Sequence, residues 1–146
     1  MASINVSRFS WAGLAFIVAA AWGCSVVGTN DDITLRTGTD TYAVGDEVRL
    51  RLENQSGSEV GYNLCFAYLD LQRRTGDEWH DVTADLGPDD SVACTAELRT
   101  LAPGDEAAGL AHIPADLPGD SYRITHDVEV HGEMQTIPSN SFVVAP

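Results

Sequence analysis

Between Asp46 and Asn54 the sequence DEVRLRLEN alternates without a break, with Val48, Leu50 and Leu52 on one parity and Glu47, Arg49, Arg51 and Glu53 on the other. In an extended chain every second side chain points the same way, so this segment predicts a strand with one buried face. The same alternation predicts strands over 91–98, where Val92, Cys94, Ala96 and Leu98 share a parity, and over 121–130, where Tyr122, Ile124, Val128 and Val130 do. Further strands are predicted near 33–36, 59–73, 78–82, 105–113 and 135–144. Their outward positions are mostly polar, the pattern of antiparallel strands solvated on one side. The segment 59–73 carries two parities, Tyr62, Leu64, Phe66 and Tyr68 on one and Cys65, Leu69 and Leu71 on the other. It predicts either a bulge near Cys65 or a strand covered on both faces.

Turn signals separate these segments, among them Val44-Gly45-Asp46, Arg74-Thr75-Gly76-Asp77, Ala102-Pro103-Gly104-Asp105, Leu117-Pro118-Gly119-Asp120 and His131-Gly132-Glu133. Proline presets φ and glycine admits positive φ, so such clusters reverse the chain. Short strands at this spacing, with no helix longer than a turn and no internal repeat, predict one antiparallel β-sandwich of about seven or eight strands.

The N-terminal stretch breaks this pattern. Trp11 to Trp22 is uncharged and apolar, follows Arg8, and ends at Gly23-Cys24. It is too short to span a bilayer as a permanent helix and has the layout of a secretory signal segment. Gly23-Cys24 after Ala21-Trp22 resembles the lipobox of bacterial lipoproteins, although Ala21 and Trp22 depart from its usual leucine and small residue. The resemblance implies a signal peptide over 1–23, a lipidated Cys24, a tether over 24–32 and a sandwich over 33–146. The product would be exported and held at the membrane of the cell envelope by its acyl chains, each buried methylene contributing about 0.8 kcal/mol.

Charge narrows the partners. The chain has 22 acidic residues against 8 cations, a formal net charge of −14 and a pI near 4.3. Nucleic acid is excluded as a natural partner, because phosphate contacts need a cationic surface. All the cations are arginine and none is lysine. With its acids scattered through loops and outward strand positions, the chain has the character of a protein from a salt-adapted source.

Residues 41–146 resemble a bacterial immunoglobulin-like domain of the kind found in small envelope lipoproteins. The features that carry this are Tyr42 with Gly45-Asp46 ahead of the Val48-Leu50-Leu52 strand, Asn54, Val60 and Tyr62, Cys65, Trp79 with Val82, and Cys94. They continue with Leu101-Pro103-Gly104, Leu117-Pro118-Gly119 with Tyr122-Arg123, and Ser139-Asn140 with Phe142-Val144. Cys65 and Cys94 are too close in sequence for the inter-sheet pin of antibody domains, and Val92 stands where a tyrosine corner is expected. A weaker resemblance, through Asn54, Trp79, the Pro-Gly turn and the Tyr122 strand, is to bacterial intracellular proteinase inhibitors.

Candidate chemistry is sparse. With Cys24 taken by lipid, Cys65 and Cys94 form an even pair in an oxidising compartment, so a disulfide is expected; a reactive or metal-binding thiol pair is the alternative. Trp79 is expected in the core near that bridge and Tyr122 as a buried anchor. His126 shares parity with Ile124 and Val128, so it is expected inside and hydrogen-bonded; with His131 and Met134 it is the one conceivable metal group. Acids at Asp31-Asp32, Asp89-Asp90, Asp105-Glu106, Asp116 and Asp120 fall in loops without EF-hand spacing. No nucleophile elbow, zinc-protease helix or phosphate loop is present. No residue is assigned as catalytic or metal-binding, and no cofactor is expected. The expectation is a noncatalytic envelope lipoprotein that binds or adheres to a protein or envelope partner. The alternatives are an inhibitor or chaperone acting through the loop 83–91, TADLGPDDS, and a metal-handling lipoprotein.

Overall fold

The computed structural model describes residues 32–88 and 93–145. Expectations placed on residues 1–23, on Cys24, and on Asp31, Asp89, Asp90 and Val92 lie outside the described residues.

Among the described residues eleven strands follow one another: β1 (Ile33–Thr37), β2 (Thr41–Ala43), β3 (Glu47–Asn54), β4 (Val60–Tyr62), β5 (Leu69–Thr75), β6 (Glu78–Val82), β7 (Arg99–Leu101), β8 (Glu106–His112), β9 (Asp120–Val130), β10 (Glu133–Pro138) and β11 (Phe142–Ala145). The smaller sheet has the order β1-β3-β8. The larger sheet is organised by β9, which is long enough to serve several neighbours. On one flank it pairs β10 through Thr125–Val130 and β11 through Asp120–Tyr122. On the other it pairs β5 through Tyr122–His126 and β4 at Glu129 and Val130. β6 extends this sheet beyond β5, β7 beyond β4, and β2 runs parallel to β11 at the opposite edge. Two sheets closing on one core make an all-β, immunoglobulin-like sandwich.

The core follows from the alternation. Val48, Leu50 and Leu52 of β3 and Ile33 and Leu35 of β1 face Leu69 and Leu71 of β5, Tyr122, Ile124 and Val128 of β9, and Phe142 and Val144 of β11. At one end Phe142 receives Tyr42 edge-on, with ring centres 5.2 Å apart at 84°, and lies near-parallel to Tyr122 at 6.4 Å. Asn54 is fully buried yet satisfied. Its amide donates to the carbonyls of Ser58 (2.8 Å) and Leu101 (3.0 Å) and its oxygen accepts from the Ser56 N–H and hydroxyl.

Several expectations are corrected. The segment 59–73 is two strands, broken by a 3-10 turn at Phe66–Tyr68 that the Tyr68 N–H closes on the Cys65 carbonyl at 2.9 Å. That turn moves the chain from β4 to β5 and exchanges the two parities. Residues 93–98 form no strand, and Ala96 and Leu98 are exposed. Small side chains there bury too little apolar area to hold a ladder position. Cys94 is bonded to Cys65, and the Thr95 carbonyl accepts the Asn63 side-chain amide at 2.7 Å. The segment 135–144 splits at Ser139, which donates its N–H to the Ile124 carbonyl (2.7 Å) and accepts the Ile124 N–H on its hydroxyl (3.0 Å). β2 has one buried side chain, Tyr42, and so gave no alternation to detect.

Tyr122 makes a tyrosine corner: its hydroxyl donates to the Pro118 carbonyl, four residues upstream, at 2.9 Å. The β9–β10 hairpin turns through His131 and Gly132, both at positive φ (53° and 80°), between the paired Val130 and Glu133. Two left-handed central residues are the mark of a type I′ turn, whose twist suits a hairpin. At Gly109 on β8 an added Cβ would lie 2.8 Å from the Leu64 Cβ and 3.0 Å from its carbonyl oxygen, because the chain leaving β4 crosses directly over β8 there.

Candidate functional site

Register places the side chains on the outer face of the larger sheet. Across the strands, Asp81 of β6 stands opposite Gln72 of β5, which stands opposite Arg123 of β9, and Trp79 stands opposite Arg74. One row along, Asp70 stands opposite Thr125, which stands opposite Pro138. Asp127 is opposite Thr136, and Glu129 is opposite Met134. Outer-face residues of four strands thus form one surface.

Hydrogen bonds fix its polar part. Arg123 Nε donates to Gln72 Oε1 (2.7 Å) and Gln72 Nε2 donates to Asp81 Oδ1 (2.8 Å), so the amide bridges a cation and an anion. The Arg123 guanidinium lies 4.5 Å over the Trp79 ring, and burial lowers its pKa from the ordinary arginine value. This corrects the expectation for Trp79. It has the opposite parity to Val82, so only Val82 joins the core edge, while the indole holds an arginine on the outer face.

Two shallow depressions meet on this surface. The first, about 480 Å³, is lined by Asp70, Gln72, Asp81, Thr125, Asp127 and Thr136. The second, about 300 Å³, shares Asp70 and Asp127 with it and is otherwise lined mainly by Ala67, Tyr68, Leu98 and Met134. Tyr68, Leu98 and Met134 are 42, 50 and 58 % exposed, among the few large apolar side chains that reach solvent. Thr136 donates its hydroxyl to Asp127 and Gln72 its amide to Asp81. Among the described residues, however, Asp70, Asp81 and Asp127 form no ion pair. The arginines nearby pair elsewhere, Arg73 with Asp120 and Arg74 with Asp77. Thr125, at the floor of the first depression, is only 4 % exposed, and its hydroxyl makes no hydrogen bond among the described residues.

The residues singled out in the sequence fall as follows. Cys65 and Cys94 form a disulfide with Cα atoms 5.8 Å apart, and neither lines either depression. His126 is buried, with both ring nitrogens engaged by backbone, while His131 Nε2 meets the Ser58 hydroxyl at 2.7 Å on the hairpin turn. Histidine, cysteine and carboxylate side chains converge nowhere in groups of three among the described residues. Of the acidic loop residues, Asp120 accepts the Ser121 N–H and the Arg73 side chain, which together hold its carboxyl below the ordinary value. In the 83–91 loop, Leu86 is buried and its carbonyl accepts the His112 N–H, so the described part is fastened to β8. The acid and threonine group on the outer face was not foreseen. Its outward parity on β9 is readable, but the adjacency of β5, β9 and β10 is not.

The chain is thus an all-β sandwich that presents one sheet face of mixed apolar and acidic character. Among solved structures the chain is similar to the ASH / PapD-like domain of human CEP192 (PapD-like domain 7), with 10% sequence identity and a TM-score of 0.40 over 95% of this chain and 98% of that chain. No protein-family model matches the chain, and no curated protein matches it.

Proposed function

We propose that this protein is a noncatalytic, immunoglobulin-like binding module of the bacterial cell envelope, exported and tethered through a lipidated Cys24, and that it meets its partner on the outer face of the larger sheet. The observation behind the contact face is the clustering of exposed Tyr68, Leu98 and Met134 against the carboxylates of Asp70 and Asp127. Exposed apolar side chains gathered in one place and rimmed by polar groups are characteristic of interaction surfaces. Gly23-Cys24 after an uncharged apolar stretch supports the tether.

The contact face is tested with a photo-crosslinking amino acid placed at Met134, and separately at Arg49 on the smaller sheet, in the native host. A discrete adduct at position 134 and none at 49 is expected. Equal labelling at both positions, or none, overturns the assignment. Intact mass of the membrane-extracted protein tests the tether: a mass beginning at Cys24 with added acyl chains is expected, and an unacylated mass removes it.

A further inference from the structure

We propose that the outer face recognises an extended polypeptide segment bearing a lysine two positions from an apolar residue, with the ammonium seated at Thr125 between Asp70 and Asp127. This rests on the binding-face reading above and names the partner's chemistry.

Thr125 carries the inference. Thr125 is 4 % exposed as a residue and lines the first depression, and its hydroxyl makes no hydrogen bond to the described residues, so it can accept one from a group that enters there. The strand on its other flank offers Pro138, which has no N–H to give. Asp70 is directly opposite on β5, and Asp127 is two residues along β9 on the same face. These carboxylates come from different strands and flank one hydroxyl. They suit a compact ammonium with three donors better than a planar guanidinium, whose fork matches two oxygens of one carboxylate.

Among the described residues no cation fills the position. The chain has no lysine, and its nearby arginines are committed: Arg123 to Trp79 and Gln72, Arg73 to Asp120, and Arg74 to Asp77. A second copy of the chain would bring the same lack of lysine. The strongly acidic chain favours a basic partner throughout.

The second depression sets the spacing. Thr125 and Asp127 are successive outer-face positions on β9, and Asp127 borders both depressions. Alternate side chains of an extended segment are separated by about 7 Å, so a lysine over Thr125 puts an apolar side chain two positions on against Leu98, Met134 and Tyr68. The ammonium and the apolar group are thereby read together.

The chain has two methionines, Met1 and Met134. Methyl-13C methionine labelling of the full chain in detergent therefore gives a direct signal from the second depression. The probes are four peptides: acetyl-Gly-Ser-Lys-Ser-Leu-Ser-Gly amide, and versions with acetyl-lysine for lysine, arginine for lysine, or serine for leucine. The expected result is a saturable shift of the Met134 methyl with the first peptide. Affinity should fall about tenfold or more on lysine acetylation, as on loss of a charge-assisted contact, and likewise in Thr125→Val and Asp127→Asn proteins. Methyl dispersion and thermal midpoint report whether each variant is folded, and Asp70→Asn provides an independent removal of one carboxylate. Equal binding of the acetyl-lysine or arginine peptide overturns the lysine assignment, and equal binding of the serine peptide overturns the paired reading. No shift with any peptide, alongside a positive crosslink at Met134, defeats this inference and leaves the binding face standing; absence of both defeats the two together.

Discussion

The buried ring of His126 donates from Nδ1 to the carbonyl oxygen of Tyr68 at 3.1 Å, and this assigns the proton to that nitrogen, because Nε2 faces the Asn63 N–H at 3.4 Å and must accept. Protonating Nε2 would set two N–H groups against each other. Burial lowers the His126 pKa from its ordinary value, against opposing contributions from the Tyr68 carbonyl and the charges of Asp127 and Asp70. The folded state therefore keeps the ring neutral, while the unfolded chain takes up a proton near the ordinary histidine value of about 6.5. Stability is fully present above that value and is lost as pH falls from it toward the lower folded pKa. Urea midpoints should be flat above about pH 7.5 and decline toward about pH 5, with a shallower decline in His126→Gln. A wild-type decline no steeper than that of the variant refutes the assignment.

Tyr122 anchors β9 by a bond of another kind. Its ring is in the core against Phe142, and its hydroxyl reaches the Pro118 carbonyl in the turn before the strand. Tyr122→Phe keeps the packing and removes one hydrogen bond, so a loss of about 1 kcal/mol in chemical denaturation is expected. A change indistinguishable from zero would mean that water replaces the tyrosine at no cost.

Asn54 should be far more sensitive. Its side chain makes four hydrogen bonds at the junction of β3 with the Ser56–Ser58 turn and the Leu101 carbonyl. Truncation in Asn54→Ala takes a donor from the carbonyl of buried Leu101 and the acceptor from the Ser56 N–H, while the Ser58 carbonyl keeps the Ser56 hydroxyl at 3.1 Å, and each buried group left unpaired costs about 1 to 3 kcal/mol. A loss of about 3 kcal/mol or more is expected in denaturant titration, exceeding that of Tyr122→Phe. The reverse order would show that the turn rearranges around the gap.

Alternation on β3 and β9 exposed the core in the sequence, because each of these strands buries one face along nearly its whole length. It misled at 93–98, where Cys94 and Ala96 have the right parity but their small side chains bury little. It was silent on β2, whose three residues are too few for a period. The inward placement of His126 follows from its parity with Ile124 and Val128. The outer-face group does not follow from any local pattern. Asp70, Thr125, Asp127 and Thr136 lie on three strands, and only pairing across β5, β9 and β10 makes them neighbours. Trp79 was placed inside because it lies between the two cysteines and just before Val82, whereas its parity, opposite to that of Val82, already pointed outward.

The Cys65–Cys94 bridge links stability to the candidate face. It closes a separation of 29 residues, for which chain entropy gives about 3 to 4 kcal/mol. Cys94 leads into a segment that makes no strand pairing before β7, tied otherwise by the Asn63 side chain to the Thr95 carbonyl. That segment delivers Leu98 to the second depression. Replacing both cysteines with serine should therefore lower the unfolding free energy by about 3 kcal/mol. It should also raise amide exchange across 93–98 while β3 and β9 stay protected under native conditions. If exchange rises equally in the core strands, the bridge supports the whole sandwich; if neither exchange nor stability changes, the Asn63 contact and the packing of Leu98 hold the segment without it.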